Sequence, residues 1–145
     1  MQNKNLTIFL VLDTSGNMKP DMIGALNNAI PEMIEAIKTF NKRFDLDINI
    51  SVLEFNSAAH WICTPTPLHT FSWNNIVAGG LCDLGAALKE LNLRMDHLLR
   101  DSNGCSTQSY YPIFIFLLSG YPTDNYLFYI EKIQSKQCFR KGVKI

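Results

Sequence analysis

Leu6-Thr7-Ile8-Phe9-Leu10-Val11-Leu12-Asp13-Thr14-Ser15-Gly16-Asn17 is a nearly unbroken apolar run that ends abruptly in an acid, two hydroxyls, a glycine and an amide. Rich in branched and aromatic residues and too short for a membrane span, it reads as a strand buried on both faces. In an open parallel sheet, ligands gather just beyond the carboxyl ends of the strands. Asp13, Ser15 and Asn17 fall in that place with oxygen atoms to offer. The spacing Asp-x-Ser-x-Asn lets a tight turn aim alternate side chains at one spot, which suits a hard cation. The same residue types also end strands and cap helices without any ligand.

Working outward from this stretch, Pro20 and Asp21 open an amphipathic helix to about Phe40, with Met22, Leu26, Ala29, Met33, Ile37 and Phe40, flanked by Ile23, Ile30 and Ile34, at helical spacing. Pro31 inside it should kink or divide it. Asp45 to Phe55 alternates as a second strand, Asn56-Ser57 turns, and Trp61-Ile62-Cys63 forms a short third strand beside Pro65 and Pro67. So short a connection makes this pair antiparallel and puts the third strand at an edge. Thr66 to Gly80 is a loop in which Trp73-Asn74-Asn75 forms a helical turn. A second amphipathic helix runs from Leu84 to about Arg100, and the polar stretch Asp101 to Tyr110 is a surface loop. Pro112 to Ser119 is a continuously apolar, central fourth strand. Leu127, Phe128, Ile130 and Ile133 mark a third helix, and Gly142 to Ile145 a fifth strand. The order implies an α/β fold: a three-layer, doubly wound, mostly parallel sheet with one antiparallel edge strand, a single domain over residues 1–145.

Composition narrows the function classes. The chain has 145 residues, 47% of them apolar, and 13 basic side chains against 13 acidic ones. That balance leaves no electrostatic footprint for nucleic acid or an anionic membrane. With no leader ahead of the first strand, the expected location is the cytoplasm. Cys63, Cys82, Cys105 and Cys138 show no paired spacing. Cys63 and Cys138 read as small apolar fillers and Cys105 as a loop thiol. Cys82, at a helix start, is the one placed for a lowered pKa, and a plain buried cysteine is the reading preferred for it.

The order of elements, with Leu10-Val11-Leu12-Asp13-Thr14-Ser15-Gly16, Thr66-Pro67-Leu68 followed by Phe71, Gly79-Gly80 with Leu84-Gly85-Ala86-Ala87-Leu88, and Phe116-Leu117-Leu118 with Pro122-Thr123-Asp124, resembles a von Willebrand factor type A (vWA) domain. Within that superfamily it looks most like the bacterial tellurium-resistance branch, the TerY-like proteins. The resemblance implies a non-enzymatic module with a metal-ion-dependent adhesion site, in which three loops hold one divalent cation, usually magnesium, and a partner's carboxylate completes its shell. It also implies partners in bacterial stress systems, where TerY-like proteins accompany kinase-like and phosphatase-like proteins.

Against the family pattern Asp-x-Ser-x-Ser, Asn17 replaces the second serine. Cys82, or Leu81 if the glycine pair is aligned instead, stands where the second loop has a threonine. Leu118-Ser119-Gly120-Tyr121 lacks the third-loop aspartate, in a loop one residue shorter. The metal positions are therefore Asp13, Ser15, Asn17 and Cys82, a degenerate set expected to hold Mg2+ weakly or not at all. Asp83 and Asp124 are candidate substitutes, or helix caps. The family continues beyond the fifth strand, so a stop at Ile145 implies truncation or a cover for the sheet such as a second copy. A metal-independent scaffold or oligomerisation domain is the alternative function. An enzyme has the least support, since neither a nucleophile elbow nor a phosphate-cradling loop is present.

Overall fold

The computed structural model describes residues 4–101 and 109–145, with the side chains of 98–101 left out. The polar stretch read as a loop, and Cys105 within it, fall largely outside these residues.

The quoted stretch supplies β1 (Asn5–Asp13), the middle strand of a five-stranded sheet. On either side lie β2 (Asp47–Phe55) and β4 (Ile113–Leu117), both parallel to it. An antiparallel β3 (Ala59–Pro67) forms one edge beyond β2, and a two-residue parallel β5 (Val143–Lys144) the other beyond β4. A central strand must be apolar on both faces. Ile8, Leu10 and Leu12 accordingly join the core on one face, and Phe9 and Val11 the core on the other. Phe9 stacks on Phe114 of β4 with ring centroids 5.3 Å apart. Burying each such side chain stabilises the fold by about 1.5–3 kcal/mol relative to exposure.

α1 (Pro20–Asn41) covers the first face. Its buried residues are Leu26, Ile30 and Ile34, with Ile23, Met33 and Ile37 partly buried beside them. Met22, Ala29 and Phe40 of the expected stripe face outward, and the contact shifts toward the flanking Ile23, Ile30 and Ile34. Pro31 does not divide the helix. It lies on the exposed side, where water can take the carbonyl that its missing N–H leaves without a partner. α2 (Leu84–Asp101), α3 (Tyr126–Gln134) and a short α4 (Gln137–Lys141) cover the opposite face. No sequence signal marked α4, which buries Cys138.

Two further expectations change. β3 runs through Pro65 and Pro67, tolerated because the missing donors fall on an edge strand. Trp73-Asn74-Asn75 is not helical. Instead the Asn27 amide donates to the Ile76 carbonyl (2.9 Å) and accepts from the Ile76 N–H (2.9 Å) and Trp73 Nε1 (3.2 Å), holding that loop extended against α1. No helix among the described residues is long and apolar enough to cross a membrane.

Candidate functional site

The carboxyl end of β1 brings three loops together. The chain leaving β1 is stitched to β2 where the Thr14 N–H and hydroxyl donate to the Phe55 carbonyl, at 2.8 and 3.3 Å. The loop entering α2 is stitched to the first by Gly79 N–H to the Thr14 carbonyl and Gly16 N–H to the Gly80 carbonyl, both 2.9 Å. Gly80 takes a φ of +82°, and a Cβ there would stand 2.7 Å from Ser57 Oγ. Glycine is therefore required. Ser57 Oγ in turn accepts the Leu81 N–H at 2.9 Å.

Asp13 lies fully buried where these loops meet. Its Oδ1 accepts the Ser15 N–H at 2.8 Å. Its Oδ2 accepts the Ser119 N–H at 2.9 Å, the Ser119 hydroxyl at 2.6 Å and the Cys82 thiol at 3.5 Å. Burial pushes this carboxyl up, but the hydrogen bonds from Ser119 and Ser15 outweigh it and hold the acid below its usual range. Cys82 is buried beside it. Burial, the Asp13 charge and the bond it gives to Asp13 push the thiol up to about 11. A helix start therefore does not activate this cysteine: the desolvated site and the adjacent anion both favour the neutral thiol.

Ser15 is buried and its hydroxyl makes no well-aligned hydrogen bond. Asn17 is exposed, its amide packed so closely on Gly120 that a Cβ there would lie 2.6 Å from Asn17 Nδ2. The expected site residues Asp13, Ser15 and Cys82 thus converge, with Asn17 on the rim.

The two substitute acids are engaged elsewhere. Asp124 accepts from the Gly85 and Ala86 N–H groups at 2.9 and 3.0 Å. It is a helix cap, but of α2 rather than of α3, which it precedes. Charge suits it there, since a helix N-terminus offers unpaired N–H groups and a positive dipole end. Asp83 accepts from the Thr123 hydroxyl at 2.7 Å. Thr123 and Cys82 then exchange two more bonds, Thr123 N–H to the Cys82 carbonyl at 2.8 Å and Cys82 N–H to Thr123 Oγ1 at 3.2 Å.

Ser119 is the residue that sequence reasoning missed as a member of the site. In sequence the position draws notice for the carboxylate it lacks and for a serine without the glycine frame of a nucleophile elbow. A signal was available: a hydroxyl two residues past β4, next to β1, in a register that pairs Leu12 with Leu117.

Neither a protein-family model nor a curated protein sequence matches the chain. Solved structures do. The ArnB paralog VWA2 of Sulfolobus acidocaldarius superposes with a TM-score of 0.61 at 14% identity, over 96% of this chain and 33% of that one. The von Willebrand factor type A protein of Catenulispora acidiphila gives 0.61 and 14%, over 98% and 32%. The fold is that of a vWA domain. The pilus adhesin SpaC of Lactobacillus rhamnosus GG, in its open conformation, superposes with a TM-score of 0.61 at 16% identity, over 85% of this chain and 16% of that one. The chain thus spans a third or less of the length of these proteins.

Proposed function

We propose that the chain is a non-enzymatic, protein-binding vWA-type module that docks its partner through the loops at the carboxyl ends of its strands, around a degenerate metal-ion-dependent adhesion site. The observation that carries this reading is the character of that surface. Around the buried Asp13, Leu81, Leu118 and Tyr121 stand 58, 52 and 92% exposed, among Gly16, Gly79, Gly80 and Gly120. Exposed apolar and aromatic side chains clustered about a rigid scaffold suit a protein partner. A net charge of zero supports a protein over nucleic acid or an anionic membrane. The resemblance to TerY-like proteins, which rests on short sequence stretches, suggests kinase-like or phosphatase-like partners in a bacterial tellurium-resistance or stress system, with the module in the cytoplasm.

Affinity capture from the source cells tests this. The wild-type chain should retain a discrete protein that Leu81→Asp and Tyr121→Asp both release. Retention by both variants would move the docking surface elsewhere.

A second reading, a scaffold or self-associating piece, is favoured by the β5 edge of the sheet. There Leu117, Val143 and Ile145 leave one face of β4 and β5 apolar and exposed.

A further inference from the structure

We infer that Ser119 and Cys82 close this site with their own hydrogens in place of a divalent cation, so that the three loops are joined and Asp13 is satisfied without metal. The inference rests on the reading above only in taking these loops as the docking surface.

A hard cation of the magnesium type needs about six oxygen ligands in near-octahedral array and negative charge to offset its own. Asp13, the Ser15 hydroxyl, which is buried without a well-aligned partner, and the amide oxygen of Asn17 on the rim are the donors here that suit it, too few for such a shell. The rest of the set does not. Around Asp13 Oδ2 stand the Ser119 N–H, the Ser119 O–H and the Cys82 S–H, three positive dipole ends directed at the oxygen that a cation would share. Sulfur is a soft ligand and a poor match for a hard cation. Asp83 and Asp124, the acids that might add charge, are committed to Thr123 and to the start of α2. Among the described residues no three His, Cys, Asp or Glu side chains are grouped to hold a metal ion.

The cross-linking that a shared ion would provide is supplied by the chain. Ser119 ties the β4 end to β1, Cys82 ties the start of α2 to β1, and Thr123 and Asp124 tie the β4–α3 loop to α2. Every loop that would carry a ligand is therefore connected to the other two by protein hydrogen bonds. A partner carboxylate has no cation to reach, and recognition falls to the uncharged rim.

The test uses the isolated chain. Its melting temperature should be the same in EDTA, in MgCl2 and in MnCl2, and calorimetric titration with either salt should show no saturable heat. Ser119→Ala should melt roughly 5 °C or more below the wild type, because one charge-assisted bond is lost. Ser119→Thr, which keeps the hydroxyl, should recover most of that loss, and neither metal should rescue the alanine variant. Saturable Mn2+ or Mg2+ binding that raises the wild-type melting temperature with the logarithm of concentration would overturn the inference. So would an alanine variant as stable as wild type in EDTA. If Ser119→Ala fails to fold, the wild-type metal titration decides alone. No partner is involved, so metal binding would sink this lock and leave docking intact, whereas capture through another face would do the reverse.

Discussion

At the scale of single residues, the chemistry is dominated by one buried carboxylate and the protons around it. Asp13 accepts four protein donors, and the consequence passes to its neighbour Cys82, whose thiol is stabilised against ionisation by burial and by that anion. A thiol held this far up is a poor nucleophile at neutral pH. Native protein should accordingly leave Cys82 unmodified by a thiol reagent on a timescale that fully labels the urea-unfolded chain, read by peptide mass spectrometry. Rapid selective modification of Cys82 in the folded state would contradict the geometry and reopen a catalytic role. The sequence made Asp13 and Ser15 legible because they follow directly on an unmistakable strand. It could not reveal Ser119 as their partner, since that contact spans 106 positions and depends on β4 lying beside β1.

At the scale of elements, side chains from one loop terminate the helix of another. Asp124 caps α2 across the site, and an added side chain at position 85 would displace it: a Cβ there would fall 2.6 Å from Asp124 Oδ2. Gly24, in the second turn of α1, has nothing within 4 Å of an added Cβ. The same substitution should therefore act in opposite directions. Gly24→Ala should stabilise by about 0.8–1 kcal/mol through helix propensity alone. Gly85→Ala should destabilise by roughly 1–2 kcal/mol as the cap is displaced. Urea unfolding of both variants measures this, and a stabilised Gly85→Ala would show that the cap yields without loss. Helix periodicity located α1 and α2, but not which residue caps which helix. The chain neighbour is the natural guess for a cap, and here tertiary contact overrides it. The shift of the α1 stripe toward its flanking isoleucines has a similar origin. Met22 and Phe40 fit the period, but the contact with the sheet runs through Ile23, Leu26, Ile30 and Ile34, and Phe40 stacks instead on Phe44 with centroids 4.5 Å apart.

At the scale of the whole molecule, the sheet order β3-β2-β1-β4-β5 places Asp13 at the centre, where loops from both sides can reach it. The fold class, the central β1 and the reversed edge strand were readable because two-sided burial and short connections leave few alternatives. The extent of β3, the extended loop held by Asn27 and the presence of α4 were not, because long-range pairing or short length decides each of them. The central claim of the account is that protein hydrogens, rather than a cation, occupy the ground around Asp13. A crystal grown with manganese and measured for anomalous scattering tests it most directly. The account predicts no anomalous peak beside Asp13, with Ser119 Oγ and Cys82 Sγ still in contact with its Oδ2. A six-coordinate ion on Asp13 and Ser15, with Ser119 displaced, would contradict it.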